Sequence, residues 1–213
     1  MRSLLYLYDP LCGWCYAATS GIARLRAAGV VVSLRPTGLF SDPGRVMTPE
    51  FADYAWKNDQ RIAAMTGQTF TKAYHRQVLQ APGTAFDSTN AILALTAVAI
   101  DSPDGEADAL RAVQEARYVA GRDITDIATL GTILTEAGYP GAAAAFDARA
   151  ATLLSANAAR LAAGQALMRE VGGSGVPTLV MVDGASRRLL DSDALYGPSD
   201  GLLARFAATL ALA

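Results

Sequence analysis

Two cysteines three residues apart, Cys12 and Cys15, stand where an apolar run gives way to a helical period, and this corner constrains the fold more than any other feature. Ser3–Tyr8 is aliphatic and aromatic after its first residue, as in a strand buried on both faces of a sheet, and Asp9-Pro10 ends it. From Gly13 onward Ile22 and Leu25 share one helical face, and Gly29 stands where a helix stops. Residues 30–34 are short and β-branched and are followed by Pro36, so a second strand comes next. A strand, a helix and a strand in this order make a parallel pair joined by a right-handed crossover. The cysteines then lie at the strand-to-helix corner.

The next 130 or so positions are helical in period and composition, at 49–65, 69–79, 88–100, 107–120, 126–137 and 146–171. Thr48-Pro49 and Asp126 are start signals, Gly138 is a stop signal, and the alanines at 142–145 favour helix rather than a flexible spacer. After Gly172-Gly173-Ser174-Gly175 a strand period returns at 178–182, followed by an Asp183-Gly184 turn, a partner strand at 187–190 and a terminal helix at 199–211. The expected order is β-α-β, a helical insertion, then β-β-α, an α/β chain. It divides into a discontinuous sheet-bearing domain, 1–40 with 172–213, and a helical insertion subdomain, 41–171. The glycines at 172–175 lack the lysine and following helix of a phosphate loop and read as a turn.

Composition removes several function classes. With 52% hydrophobic and 18% charged residues the chain buries a sizeable core. Its 18 basic and 20 acidic residues give a net charge of −2 without runs of one sign, which offers nucleic acid no footprint. The longest apolar run, 91–100, is too short to span a membrane. The leading apolar residues are broken by Asp9-Pro10 before they reach the length of a signal core, so the expected location is cytoplasmic. In a reducing compartment a cysteine pair is catalytic or metal-binding rather than structural. With no other cysteine and a single histidine, His75, the chain lacks the ligands of a structural zinc site, and no metal is expected.

At a helix start, unpaired N–H groups and the positive end of the macrodipole stabilise a thiolate relative to a thiol. Cys12 is therefore the expected nucleophile. Cys15, one turn inside the helix, is shielded and resolves the mixed disulfide formed at Cys12.

Tyr8-Asp9-Pro10-Leu11-Cys12-Gly13-Trp14-Cys15-Tyr16 resembles the active-site segment of the DsbA family, in particular its FrnE-like branch with Asp-Pro-x-Cys-x-Trp-Cys-Tyr. Gly175-Val176-Pro177-Thr178 resembles the family's cis-proline loop. The resemblance implies a thioredoxin-like fold with a helical insertion and a cis Val176–Pro177 bond facing the cysteines. It also implies thiol–disulfide oxidoreductase activity, with disulfide isomerisation as an accompanying activity. Substrates are then protein or small-molecule thiols and disulfides, bound at Val176, Pro177, Trp14 and Gly13. An extended substrate would pair with the Val176 backbone as an added strand. No metal or organic cofactor is needed beyond the redox pair, and glutathione is admitted as an electron partner.

Gly13 and Trp14 replace the proline and histidine of the better-known oxidases, so the Cys12 thiolate is less stabilised and the potential less oxidising. Trp14 reads as an apolar lid or a substrate platform. Tyr16, Phe40, Trp56 and Tyr74 read as core before groove, and His75 as an exposed or satisfied structural residue. Two other functions fit the architecture. One is a glutathione-dependent transferase or isomerase of the kappa-class or hydroxychromene-carboxylate type, against which the intact cysteine pair argues. The other is a chaperone-like binding module that uses the pair as a redox sensor.

Overall fold

The leading apolar run forms an inner strand of the sheet. In the computed structural model, which describes residues 2–197, β1 (Ser3–Tyr8) pairs in parallel with β2 (Val32–Pro36). On its other side β1 is antiparallel to β3 (Thr178–Asp183), and β3 is antiparallel to β4 (Ser186–Leu190), giving the order β2-β1-β3-β4. Successive side chains of a strand point to opposite faces. Leu4, Tyr6 and Tyr8 enter the main core, whereas Leu5 and Leu7 meet Val180, Leu167 and Met168 on the other face. Both faces of β1 are covered, which is why its sequence shows no polar alternation.

Helix α1 (Gly13–Ala27) returns the chain across the sheet and ends at Gly29, whose φ of 83° is in the left-handed region. The second strand starts two residues later than expected because the Val30 N–H bonds back to Leu25 O at 3.0 Å, completing the helix end. Pro36 is the last residue of this edge strand, a position that tolerates a missing N–H.

Between β2 and β3 lie α2 (Pro49–Thr66), α3 (Lys72–Tyr74) running on into a π turn at His75–Leu79, α4 (Thr89–Asp101), α5 (Glu106–Tyr118), α6 (Ile127–Glu136), α7 (Pro140–Ala148) and α8 (Ala151–Glu170). Thr48 and Asp126 cap α2 and α6 as their sequence signals require, the Asp126 carboxylate accepting from Thr129 N at 2.7 Å. Two expectations change. The segment expected helical from 69 begins at Lys72, because Thr71 caps Tyr74 N from an extended backbone. The single helix expected over 146–171 is broken at Arg149, which takes a left-handed φ of 46°. No glycine or proline announces this turn; Arg149 is held there by donating to Asn90 Oδ1 at 3.2 Å. A 3-10 turn at Ser192–Tyr196, absent from the expected order, packs on α1. The terminal helix expected at 199–211 lies outside the described residues.

Helix α8 crosses the end of β2 so closely that a Cβ on Gly164 would overlap the Pro36 carbonyl. Gly164→Ala gains about 1 kcal/mol of helix propensity yet forces helix and strand apart. We expect a net loss of about 2 kcal/mol, seen as a thermal midpoint lower by about 4–8 °C.

Candidate active site

The corner between β1 and α1 is tied down from four directions. Asp9, fully buried, accepts Leu11 N at 2.9 Å and Phe40 N at 3.0 Å with its two carboxyl oxygens, and Ser88 Oγ at 2.9 Å. Its backbone carbonyl accepts Cys12 N at 3.1 Å. Burial pushes the Asp9 carboxyl above its ordinary range, and the two backbone N–H donors pull it back. Tyr118 of α5 donates to Leu11 O at 2.7 Å, and Tyr6 of β1 donates to Cys15 O at 3.1 Å. The first turn of α1 therefore has little freedom.

Both cysteines are free. Cys12 is the N-cap of α1 with extended backbone, and its sulfur accepts Cys15 N at 3.4 Å. The same thiol donates to Val176 O at 3.5 Å. Cys12 keeps 7% of its surface exposed and Cys15 none. Burial pushes the Cys15 thiol well above its ordinary value, and the neighbouring Cys12 adds to the shift. One sulfur thus stands at the rim on a helix N-terminus, and the other waits, protonated at neutral pH, one turn behind it. Iodoacetamide at neutral pH is expected to alkylate Cys12 and spare Cys15 in the native protein, as read by peptide mass mapping.

Opposite the cysteines the Val176–Pro177 peptide is cis. The Val176 N–H makes no backbone hydrogen bond among the described residues, and Pro177 has no N–H to offer. A cleft of about 310 Å³ lies between residues 172–178 and 189–192. Val176 thus brings its carbonyl to Cys12 and keeps its donor open, as an added strand requires.

Trp14 is half-buried, its ring 5.2 Å from that of Tyr196, whose hydroxyl donates to Trp14 O at 3.5 Å. This packing fixes the ring against Tyr196. Gly13 faces α2 so closely that a Cβ would fall 2.5 Å from Asp59 Oδ1 and 3.1 Å from Ile62 Cδ1. Sequence reasoning placed Gly13 among the substrate-binding residues and at a looser helix start; the structure adds that its lack of a side chain is a packing requirement. Tyr16 and Tyr74 are core residues packed among Phe70 and Tyr118, Tyr16 stacked on Tyr118 and the other contacts tilted or edge-on. Phe40 and Trp56 are half-buried, Phe40 against Phe86 and Trp56 stacked on His75 at 4.3 Å. Among the described residues no group of three histidines, cysteines or carboxylates is arranged to hold a metal ion.

Sequence reasoning missed Asp9, Tyr6, Tyr118, Asp59 and Tyr196 as site residues. Asp9 alone carried a signal, as part of the segment before Cys12. The tyrosines look like any core aromatics, and their hydroxyl partners are set by tertiary packing.

Known proteins share this fold. The chain is similar to the cytosolic disulfide reductase DsbM from Pseudomonas aeruginosa, at 33% identity over 99% of this chain and 100% of that one, with a TM-score of 0.88. The structure of that protein with GSH matches at 32% identity, 99% and 100% coverage, and a TM-score of 0.86. A candidate protein disulfide isomerase from Nitrosomonas europaea matches at 25% identity over 99% of this chain and 98% of that one, with a TM-score of 0.79. A 2-hydroxychromene-2-carboxylate isomerase, at 16% identity over 99% and 98% and a TM-score of 0.59, shares the fold. No curated protein matches the sequence. The DSBA-like thioredoxin domain matches residues 4–197, nearly the whole chain, and this protein belongs to that family.

Proposed function

We propose that this thiol–disulfide oxidoreductase works in the cytoplasm as a disulfide reductase, with Cys12 as nucleophile, Cys15 as resolving thiol and glutathione as the source of electrons. The observation that carries the reading is the placement of Cys12 Sγ, at the start of α1 and 3.5 Å from Val176 O, with Cys15 buried behind it. Similarity to a cytosolic disulfide reductase whose structure has been obtained with GSH supports the direction and the partner.

A substrate disulfide lies along Val176 and pairs with its backbone, which aims one sulfur at Cys12. The Cys12 thiolate attacks that sulfur, the substrate S–S bond breaks, and the leaving sulfur takes a proton. Cys15 then loses its proton and attacks Cys12 Sγ. The second substrate thiol departs, and a Cys12–Cys15 disulfide remains. One glutathione thiolate reopens this bond at Cys12, returning Cys15 to its thiol. A second releases Cys12 and leaves as oxidised glutathione. Two electrons pass from two glutathiones to one substrate disulfide.

Insulin-disulfide reduction with glutathione as the only reductant tests this proposal. Catalysed, protein-dependent reduction is the expected result; reduction no faster than glutathione alone would overturn the reductase reading. A shared fold with the chromene-carboxylate isomerase does not by itself favour a transferase. Turnover of a glutathione conjugate by Cys15→Ser would.

A further inference from the structure

The first residue of α1 has no side chain on the side where α2 approaches, and the carboxyl of Asp59 fills that space, 2.5 Å from where a Gly13 Cβ would be. Asp59 is 4% exposed, and its other oxygen accepts the Tyr74 hydroxyl at 2.8 Å. Behind Tyr74 lies Arg117, 1% exposed, its guanidinium 5.4 Å and 5.7 Å from the ring centres of Tyr74 and Tyr118. Arg117 Nε and Nη1 have no hydrogen-bond partner among the described residues. A guanidinium stays charged when buried, so this cluster needs negative charge, and two carboxylates interact with it, Asp59 more strongly than Asp123.

Gly13 follows the N-cap cysteine, so Asp59 and Cys12 stand at the same helix end. An ionised Asp59 and an ionised Cys12 are like charges drawing on one macrodipole and one set of free N–H groups. We propose that Asp59 is a positioning residue for the redox pair: held against Gly13, it sets how much of the positive end of α1 is left to stabilise the Cys12 thiolate. The inference rests on Cys12 being the nucleophile.

Burial pushes the Asp59 carboxyl up to about 7, while the Tyr74 hydroxyl and the Arg117 guanidinium favour its ionised form. Both charge states are therefore populated around neutrality. Below that point Asp59 is neutral and the helix end acts on Cys12 alone. Above it, the carboxylate competes with the thiolate. Asp59 lies against Gly13, the residue next to Cys12, and the titratable or charged groups acting on it are Tyr74 from α3 and Arg117 and Tyr118 from α5. His75 of the π turn is stacked on Trp56.

The test is the rate of Cys12 alkylation by iodoacetamide in the reduced full chain, followed across neutral pH. The wild-type profile is expected to rise in two steps, with a break near 7. Asp59→Asn is expected to rise in one step and to react about five-fold faster above the break, the effect of removing one like charge from the same helix end. Tyr74→Phe keeps the carboxyl but removes a donor to its ionised form, so the break is expected at higher pH. Profiles of both variants that superimpose on wild type overturn the proposal, as does slower alkylation in Asp59→Asn. If Asp59→Asn does not fold, the position of the break in Tyr74→Phe decides. Absence of Cys12 alkylation in the wild-type protein would instead mark failure of the nucleophile assignment on which the inference rests.

Discussion

Cys12→Ser is expected to lower disulfide reduction by about a thousand-fold or more, to the uncatalysed rate, because a hydroxyl at this position neither ionises near neutral pH nor exchanges with a disulfide. Cys15 does not take over. It is fully buried, its thiol is pushed up by that burial, and the open backbone of Val176 faces Cys12 rather than Cys15. Cys15→Ser should behave differently: Cys12 still attacks, nothing resolves the product, and the protein accumulates as a mixed disulfide with its substrate or with glutathione. Insulin reduction read by turbidity and intact mass of the protein separate the two outcomes. Turnover retained in Cys12→Ser would contradict the proposed chemistry.

Asp9→Ala is expected to lower the stability of the fold by about 3 kcal/mol and to loosen the site with it. Two buried donors, Leu11 N and Ser88 Oγ, and the part-buried Phe40 N lose their acceptor at once, and each buried donor left unsatisfied costs about 1–3 kcal/mol before water or relaxation relieves it. The Asp9 carbonyl also fixes Cys12 N, so a shifted corner moves the N-cap sulfur relative to Val176 O. Urea unfolding measures the first effect and the rate of Cys12 alkylation the second. A stability within 0.5 kcal/mol of wild type, about the scale of an ordinary surface substitution, would show that these hydrogen bonds do not hold the corner.

Much of this architecture was readable in the sequence because the relevant forces are local. The β1 residues are apolar on both faces, Asp9-Pro10 must stop a strand, and Gly29 is placed to end a helix, so the β-α-β opening follows from residues 3–36 alone. The Thr48 and Asp126 caps are equally local. The break at Arg149 was not readable: alanine-rich sequence favours helix on either side, and the turn is stabilised by Asn90, 59 positions away. At the site, spacing and context singled out Cys12 and Cys15. The cis bond before Pro177 came from the family resemblance, since local sequence by itself favours an ordinary strand start. Asp59 was invisible because it reaches Gly13 only when α2 packs on α1. Trp14 was singled out, but the Tyr196 that fixes it lies 182 positions away.

Gly13 ties these strands together. A residue with a side chain there would displace Asp59 from the helix end, and the histidine that stabilises the thiolate in strong oxidases of the family is replaced by Trp14. With Asp59 acting as proposed and no histidine between the cysteines, the reduced pair is expected to be less stabilised, and a dithiol less stabilised in its reduced form is a stronger reductant. The reduction potential of the Cys12–Cys15 couple, measured by equilibration with glutathione buffers and quantified by thiol alkylation, is the most direct test. The account predicts a value near the thioredoxin end of the range, about −270 mV; a value near about −120 mV would identify a strong oxidant and contradict it.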